Sequence, residues 1–262
     1  MLWWIMEKTV VKVLKLIETL AGADQPLGVT SLAAELGFTK SNAHRLLNTL
    51  SKLGYVRHHE DVGQYELTPK LWRVGVAVMS RMDLSRIAVP YMRALERETG
   101  ESVNLAIFDD GSVVYVAAVQ GSNPVRAFIR VGDRRPSYCT ATGKVLLSHQ
   151  PEHLLSKYCG KFKRYTPRTI TSLQKLKTEL ALVRKQDYSV TSGEWRENVG
   201  GVAAPIRSET GEVIAAVGLM SPLERLNDAR SRSHAARAIL ACAARISSDL
   251  GYSAETAVAH GR

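Results

Sequence analysis

The sequence predicts an α+β chain in two parts: an N-terminal winged helix-turn-helix domain and a C-terminal domain in which helices pack on an antiparallel sheet. Three observations predict this. Thr30 to Leu53 reads as two short helices joined at Gly37 and Phe38; the stretch after Gly54 alternates like a hairpin; and from Leu84 onward, strand-like pairs flank turn signals with helical stretches between them. At 262 residues, two domains are expected rather than one, and 45% hydrophobic with 23% charged residues is an ordinary globular composition.

Val10, Val13, Leu14, Ile17, Leu20 and Ala21 form one helical stripe, stopped by Gly22 and the Asp24-Gln25-Pro26 turn. In the second helix of the pair, Ala43, Leu46, Leu47 and Leu50 recur at core spacing, while Ser41, Asn42, Arg45, Asn48 and Lys52 occupy the other side. Gly37 suits the left-handed residue that ends a helix, and Thr39 suits the N-cap of the next. YVRHHEDVGQYELT then alternates around Asp61-Val62-Gly63, so a two-stranded wing follows the reading helix. These elements place a DNA-binding domain at residues 1–68 and a linker helix at 69–83, the latter drawn from the apolar run Pro69 to Met82.

A second domain is expected over residues 84–252. Pro90 is expected in the first turn of a helix that runs to Glu98 and stops at Gly100. SVNLAIFD and VVYVAAVQ flank Asp110-Gly111 as a hairpin, and VRAFIRVG is a third strand candidate. Helices are expected at Thr140 to His149, Pro151 to Tyr158 and Ser172 to Gln186. GVAAPIR and EVIAAVGLM make a second hairpin around Glu209-Thr210-Gly211, and Pro222 to Leu250 reads as one last helix ending at Gly251.

The net charge of +10 and pI near 9.6 favour a polyanionic partner. Residues 1–80 hold nine Lys/Arg and seven Asp/Glu, only +2 of that excess, so the acid-free run from Phe38 to His59 is the better sign of a nucleic-acid surface. Three cysteines, Cys139, Cys159 and Cys242, form neither a CxxC nor a Cys/His cluster, and a reducing cytoplasm is the expected compartment, with no metal and no cofactor. The start, MLWWIMEKTVVKVL, carries Glu7, Lys8 and Lys12 and reads as neither a secretory signal nor a membrane-spanning helix.

Four segments in order, PLGVTSLAAELGFTKSNAHRLLNTLSKLGYV at 26–56, YCTATGKVLL at 138–147, YTPRTIT at 165–171 and GGVAAPIRSETGEVIAAVGL at 200–219, give the chain a resemblance to the IclR family of bacterial transcription regulators. The resemblance covers nearly the whole chain. It implies a winged helix, a C-terminal effector-binding domain with a GAF-like fold, a homodimer or dimer of dimers, and binding to double-stranded operator DNA under the control of a small molecule.

The N-terminal part of the reading helix would enter the major groove, which makes Lys40, Ser41, Asn42 and Arg45 the first candidates for base contact, flanked by His44 and Asn48. Thr30, Ser31 and Thr39 stand near helix starts and suit phosphate oxygens; Arg57 would lie on the wing. For the effector, Thr140 can cap a helix whose first amides, at Ala141, Thr142 and Gly143, offer the positive end of a dipole to a carboxylate. The resemblance puts those amides in the pocket and the loop Thr191 to Gly201 on its other wall. Where better-known members commonly carry an acidic residue and a cysteine, this chain has Thr191 and Gly201, which predicts a wider, less acidic pocket. Phe128, Tyr138 and Trp195 are expected as walls, and a larger carboxylate, aromatic ones included, as ligand.

A competing reading is a small-molecule enzyme or sensor using Cys139, whose place at a helix start can lower a thiol pKa, with the winged helix binding protein. Against it, a small buried residue is the commoner fate of such a cysteine. His149 and His153 lack a partner in any motif, Glu194 and Glu197 are expected on an exposed loop, and the Lys144 charge on the exterior of its helix.

Overall fold

The computed structural model describes residues 7–79 and 83–253. The apolar start Met1 to Met6 and residues 80–82, the end of the run Pro69 to Met82, lie outside that range. The chain divides into two compact units, 1–82 and 83–262, each described by itself below.

In the first unit, α1 (Lys8–Gly22) buries Leu16 and Leu20. A two-residue strand, β1 (Leu27–Gly28), leads into α2 (Val29–Leu36). Gly37 follows at φ 67°, its amide returning to Ala33 and Ala34 carbonyls, which turns the chain sharply toward α3 (Lys40–Lys52). The Thr39 hydroxyl caps α3 by accepting from the Asn42 amide at 3.2 Å. Strands β2 (Val56–His59) and β3 (Gln64–Leu67) form the wing, and β1 joins the other edge of β3. Leu16, Leu32, Leu46, Leu47, Leu50, Val56 and Tyr65 make one core, so every predicted apolar position of the reading helix is spent on packing. The linker helix, α4 (Pro69–Met79), begins beside the wing, where the Thr68 hydroxyl donates to the Gly54 carbonyl.

The second unit opens with α5 (Asp83–Thr99). Pro90 lies inside this helix rather than in its first turn, contrary to expectation. The stripe Leu84, Ala88, Met92 and Leu95 is buried on both sides of Pro90, while Pro90 itself is exposed; packing carries the helix through the lost hydrogen bond. Strands β4 (Ser102–Asp109) and β5 (Ser112–Val119) make the first predicted hairpin.

VRAFIRVG is not a strand. The third strand is β6 (Arg134–Pro136), and of VRAFIRVG only the last residue, Gly132, bonds the backbone of β5, its amide donating to the Tyr115 carbonyl while the Tyr115 amide donates to Asp133. The alternation that suggested a strand has another cause: Ala127 and Ile129 are buried while Val125, Phe128 and Val131 are exposed. The segment is held by Ser102 Oγ on the Ala127 carbonyl and Gln120 Nε2 on the Ile129 carbonyl.

Helix α6 (Ala141–Ser148) follows, then a 3-10 turn at Glu152–Leu154 with α7 (Leu155–Tyr158), and α8 (Leu173–Gln186). Strands β7 (Ser189–Ser192), β8 (Val199–Arg207) and β9 (Val213–Pro222) complete a six-stranded antiparallel sheet in the order β6-β5-β4-β9-β8-β7. The predicted final helix is broken. A 3-10 turn spans Leu223–Leu226, and α9 (Ala229–Asp249) starts only after Asp228, whose carboxylate accepts from the Ser231 amide at 2.9 Å.

Register explains how the sheet holds a site. Asn104 pairs with Gly218, Ala106 with Ala216, Ala203 with Gly218 and Thr191 with Gly201, so these residues share one face. That face is built of small residues, and α6, every residue of which is buried, packs closely against it with α8 behind. Leu105, Val202, Ala204 and Val217 point the other way, toward the side where α5 and α9 meet the strands.

Candidate functional site

On α3, Lys40, Ser41, His44, Arg45 and Asn48 are exposed, and Asn42 is half-buried with its amide oxygen lacking a hydrogen-bond partner among the described residues. Thr30, Ser31 and Thr39 are exposed near the starts of α2 and α3. Asn48 Nδ2 lies 3.4 Å from His44 Nδ1, an i, i+4 contact that leaves Arg45 on its own track along the helix. Arg57 does stand on the wing, but its guanidinium donates to Glu66 at 3.1 Å, and His59 lies 3.1 Å from the same carboxylate oxygen. The wing thus carries an acidic neighbour, just beyond the acid-free run, that offsets its basic side chains. His58 stacks on Tyr65 with ring centroids 4.4 Å apart.

In the second unit, a cavity of about 530 Å³ opens between the α6-facing side of the sheet and the segments 126–135 and 191–201. Cys139, Ala141, Thr142, Phe128, Thr191, Trp195 and Gly201 all line it. Gly143 does not. Its amide donates to the Thr140 cap at 3.2 Å, and a side chain there would lie 2.3 Å from the Ser137 carbonyl oxygen, so Gly143 serves helix packing rather than the cavity wall. Tyr138 is also no wall: it is buried against Phe162, and its hydroxyl donates to the Lys163 carbonyl.

The first turn of α6, Thr140 to Thr142, forms one side of the cavity. Charged lining comes from Arg126, Arg130, Arg135, Arg196 and one acid among the described residues, Asp133, which Arg135 engages at 2.8 Å. The Arg135 guanidinium also lies 5.3 Å over the Trp195 ring. A Cβ at Gly201 would sit 3.3 Å from Thr191 Oγ1 and 3.5 Å from Ala141 Cβ, so the glycine keeps that corner open.

Sequence reasoning misplaced two charges. Lys144 is not on the exterior: it is 1% exposed, and its ammonium donates to Glu194 at 2.7 Å and to Glu179 at 3.1 Å. Glu194 is correspondingly buried, and burial holds its carboxyl above the usual range against the pull of Lys144; Glu197 alone is exposed. The Thr166 and Thr169 hydroxyls donate to the Gly193 and Glu194 carbonyls, locking the loop that carries Trp195. Only the fold could pair Lys144 with a residue 50 positions away, though a lysine between Gly143 and Val145 in an otherwise uncharged helix was the available signal.

The lowered thiol pKa imagined for Cys139 is also overturned. Burial, with the Glu194 charge adding to it, pushes Cys139 up to about 12, so no nucleophilic thiolate forms at neutral pH. His149 Nδ1 sits 3.0 Å from the Val145 carbonyl oxygen, and its pKa is lowered by burial. Among the described residues no group of His, Cys, Asp or Glu could hold a metal ion, and no helix is long and apolar enough to cross a membrane.

Comparison with known proteins agrees with this architecture. Residues 9–60 match the family described as IclR helix-turn-helix domain, and residues 76–248 the one described as Bacterial transcriptional regulator IclR C-terminal. The HTH-type transcriptional regulator KdgR of Escherichia coli (strain K12) is 34% identical over 246 residues, covering 93% of each chain. The crystal structure of Thermotoga maritima IclR aligns with a TM-score of 0.74 at 28% identity, over 93% of this chain and 99% of that one. An IclR homologue from Microbacterium hydrocarbonoxydans, complexed with 4-hydroxybenzoate, shares the fold with a TM-score of 0.81 at 24% identity, over 92% and 98% of the two chains. With both domains matched in order, the chain belongs to the IclR family of bacterial transcription regulators, DNA-binding proteins that respond to a small-molecule effector.

Proposed function

We propose that the effector is a small carboxylate, with room for an aromatic or similarly large body, and that its binding changes the affinity of a homodimer or dimer of dimers for a palindromic operator, of a catabolic operon in our reading. The observation that carries this is the electrostatics of the cavity. One side is the N-terminal turn of α6, and four arginines line the rest against a single, already paired aspartate. An anion is favoured there, and about 530 Å³ exceeds what a two- or three-carbon acid fills. Titration calorimetry of the whole protein against a panel of carboxylates and their uncharged esters tests the reading; tight binding of uncharged ligands alone would count against it.

On the DNA side, Lys40, Ser41, Asn42 and Arg45 read bases in the major groove, Arg45 suiting a guanine edge and Asn42 an adenine. Thr30, Ser31 and Thr39 hold phosphates, with His44, Asn48 and Arg57 supporting. Half-sites fall about one helical turn apart or a multiple of it. The effector acts by preferring one spacing of the two reading helices over another, which requires only unequal affinity for the two arrangements.

A further inference from the structure

We infer that the effector is a dianion, with a carboxylate at the first turn of α6 and a second anionic group, carboxylate or phosphate, held at the cavity mouth by Arg126, Arg130 and Arg196. This rests on the carboxylate reading above and assigns the other end of the ligand.

The charge of the second unit is what DNA binding leaves unexplained. Residues 1–80 hold only +2 of the net +10, so most of the excess lies beyond the reading head. Part of it gathers at the cavity, where four arginines stand against one aspartate among the described residues. Arg134, Arg135, Arg207 and Arg225 of this unit are ion-paired with acids, whereas Arg126, Arg130 and Arg196 pair with none of the described acids. Arg126 donates to the Asn123 carbonyl at 3.3 Å, and the Arg130 guanidinium lies 5.8 Å over the Phe128 ring, contacts that leave both charges unneutralised.

Position divides the cavity into a neutral floor and a cationic mouth. Ala127 and Ile129 are buried, so Arg126, Phe128 and Arg130 are carried together on the exposed side of their segment, and all three line the cavity. Arg196 lines it from the loop 191–201 and is exposed as well. On the floor, Asn104, Tyr115, Thr142 and Thr191 are buried and uncharged. A monocarboxylate seated at α6 meets the helix terminus and leaves three like charges at the mouth unmatched. A second anionic group at the far end of the ligand offsets their repulsion, and a guanidinium takes either a carboxylate or a phosphate through paired N–H donors. The two ends also differ in screening: salt weakens a contact to exposed arginines far more than one to a buried helix turn.

The test is titration calorimetry of the full-length protein with pairs of like shape that differ by one charge, terephthalate with its monoamide and adipate with its monoamide. A third dianion, 4-carboxyphenyl phosphate, separates the two sources of the second group, and terephthalamide is the uncharged probe. In each pair that binds, the dianion is expected to bind about tenfold tighter in about 0.05 M salt, and the preference to shrink to about threefold or less in about 0.5 M. In the triple variant Arg126→Gln, Arg130→Gln, Arg196→Gln, checked for folding by its thermal melt, the dianion falls to within about twofold of its monoamide, whose own affinity is unchanged. Equal affinities within the wild-type pairs, or no binding of any dianion, overturn the inference, and a monoamide that binds leaves the carboxylate reading standing. A preference that survives the triple variant also overturns it; weaker duplex binding by that variant would then assign the arginines to DNA. Binding of terephthalamide with none of the acids bound overturns both readings.

Discussion

Lys144 Nζ lies 2.7 Å from Glu194 Oε1, which joins α6 to the loop before Trp195, two segments that each line the cavity. Lys144 is on α6, whose first turn lines the cavity; Glu194 precedes Trp195 and Arg196, which line it from the loop. A buried ion pair therefore ties the two walls, and Glu194 Oε2 has no hydrogen-bond partner among the described residues, so the pair is held chiefly through Lys144.

Removing one partner of such a pair is expected to cost far more than removing both. Lys144→Met leaves a carboxylate buried and should lower stability to urea by about 3–5 kcal/mol at pH 7, whereas Lys144→Met combined with Glu194→Gln recovers much of that loss. The pH dependence has a definite sign. A carboxyl whose folded pKa is raised loses stability as pH rises through that value, so Lys144→Met should be more stable at pH 5 than at pH 8. Equal losses in the single and double variants would refute the coupling.

The three thiols give a second check. Burial raises Cys139 to about 12, Cys159 to about 11 and Cys242 to about 12. The native protein should leave all three unreacted with Ellman's reagent at pH 8 on the timescale in which free cysteine reacts, and titrate three thiols in guanidinium. Rapid reaction of Cys139 in the native state would reopen the question of nucleophilic chemistry there.

Gly143 offers a test of how α6 is seated. A Cβ there would meet the Ser137 carbonyl oxygen at 2.3 Å and Ser137 Cα at 2.4 Å, both backbone atoms that cannot swing aside. Gly143→Ala should destabilise the second unit by about 1–3 kcal/mol and weaken any cavity ligand through displacement of the capped turn. A fully stable variant, measured by urea melt, would mean that α6 can slide along the sheet.

What was legible in the chain is what local chemistry decides. Only glycine sits easily at the left-handed Gly37, a threonine hydroxyl three residues before an amide caps a helix at Thr39 and again at Thr140, and the apolar stripe of α3 admits one packing face. What escaped was decided by pairing across the fold. Alternation in VRAFIRVG records which side chains are buried, not which backbone is bonded; only its last residue, Gly132, reaches the Tyr115 backbone. Pro90 was read by its missing amide, yet the stripe from Leu84 to Leu95 outweighed it. Lys144 and Glu194 look like surface residues until the fold brings them together.

The reading surface separates into residues that should count differently. Arg45 is exposed on α3 with no ion pair to an acid among the described residues, so Arg45→Ala is expected to weaken binding to a selected operator by about 1–3 kcal/mol and to relax preference at the base it reads. Arg57 already donates to Glu66 at 3.1 Å, and an ion-paired guanidinium has less to offer a phosphate. Arg57→Ala should therefore cost less than Arg45→Ala, evenly across sequences. Glu66→Gln, which removes the carboxylate charge that faces Arg57, should tighten binding to any duplex and steepen its dependence on salt. Fluorescence anisotropy with selected and scrambled duplexes over a range of salt concentrations measures all three. If Glu66→Gln left the salt slope unchanged, the wing would not be near the phosphates, and the reading would shift wholly onto α3.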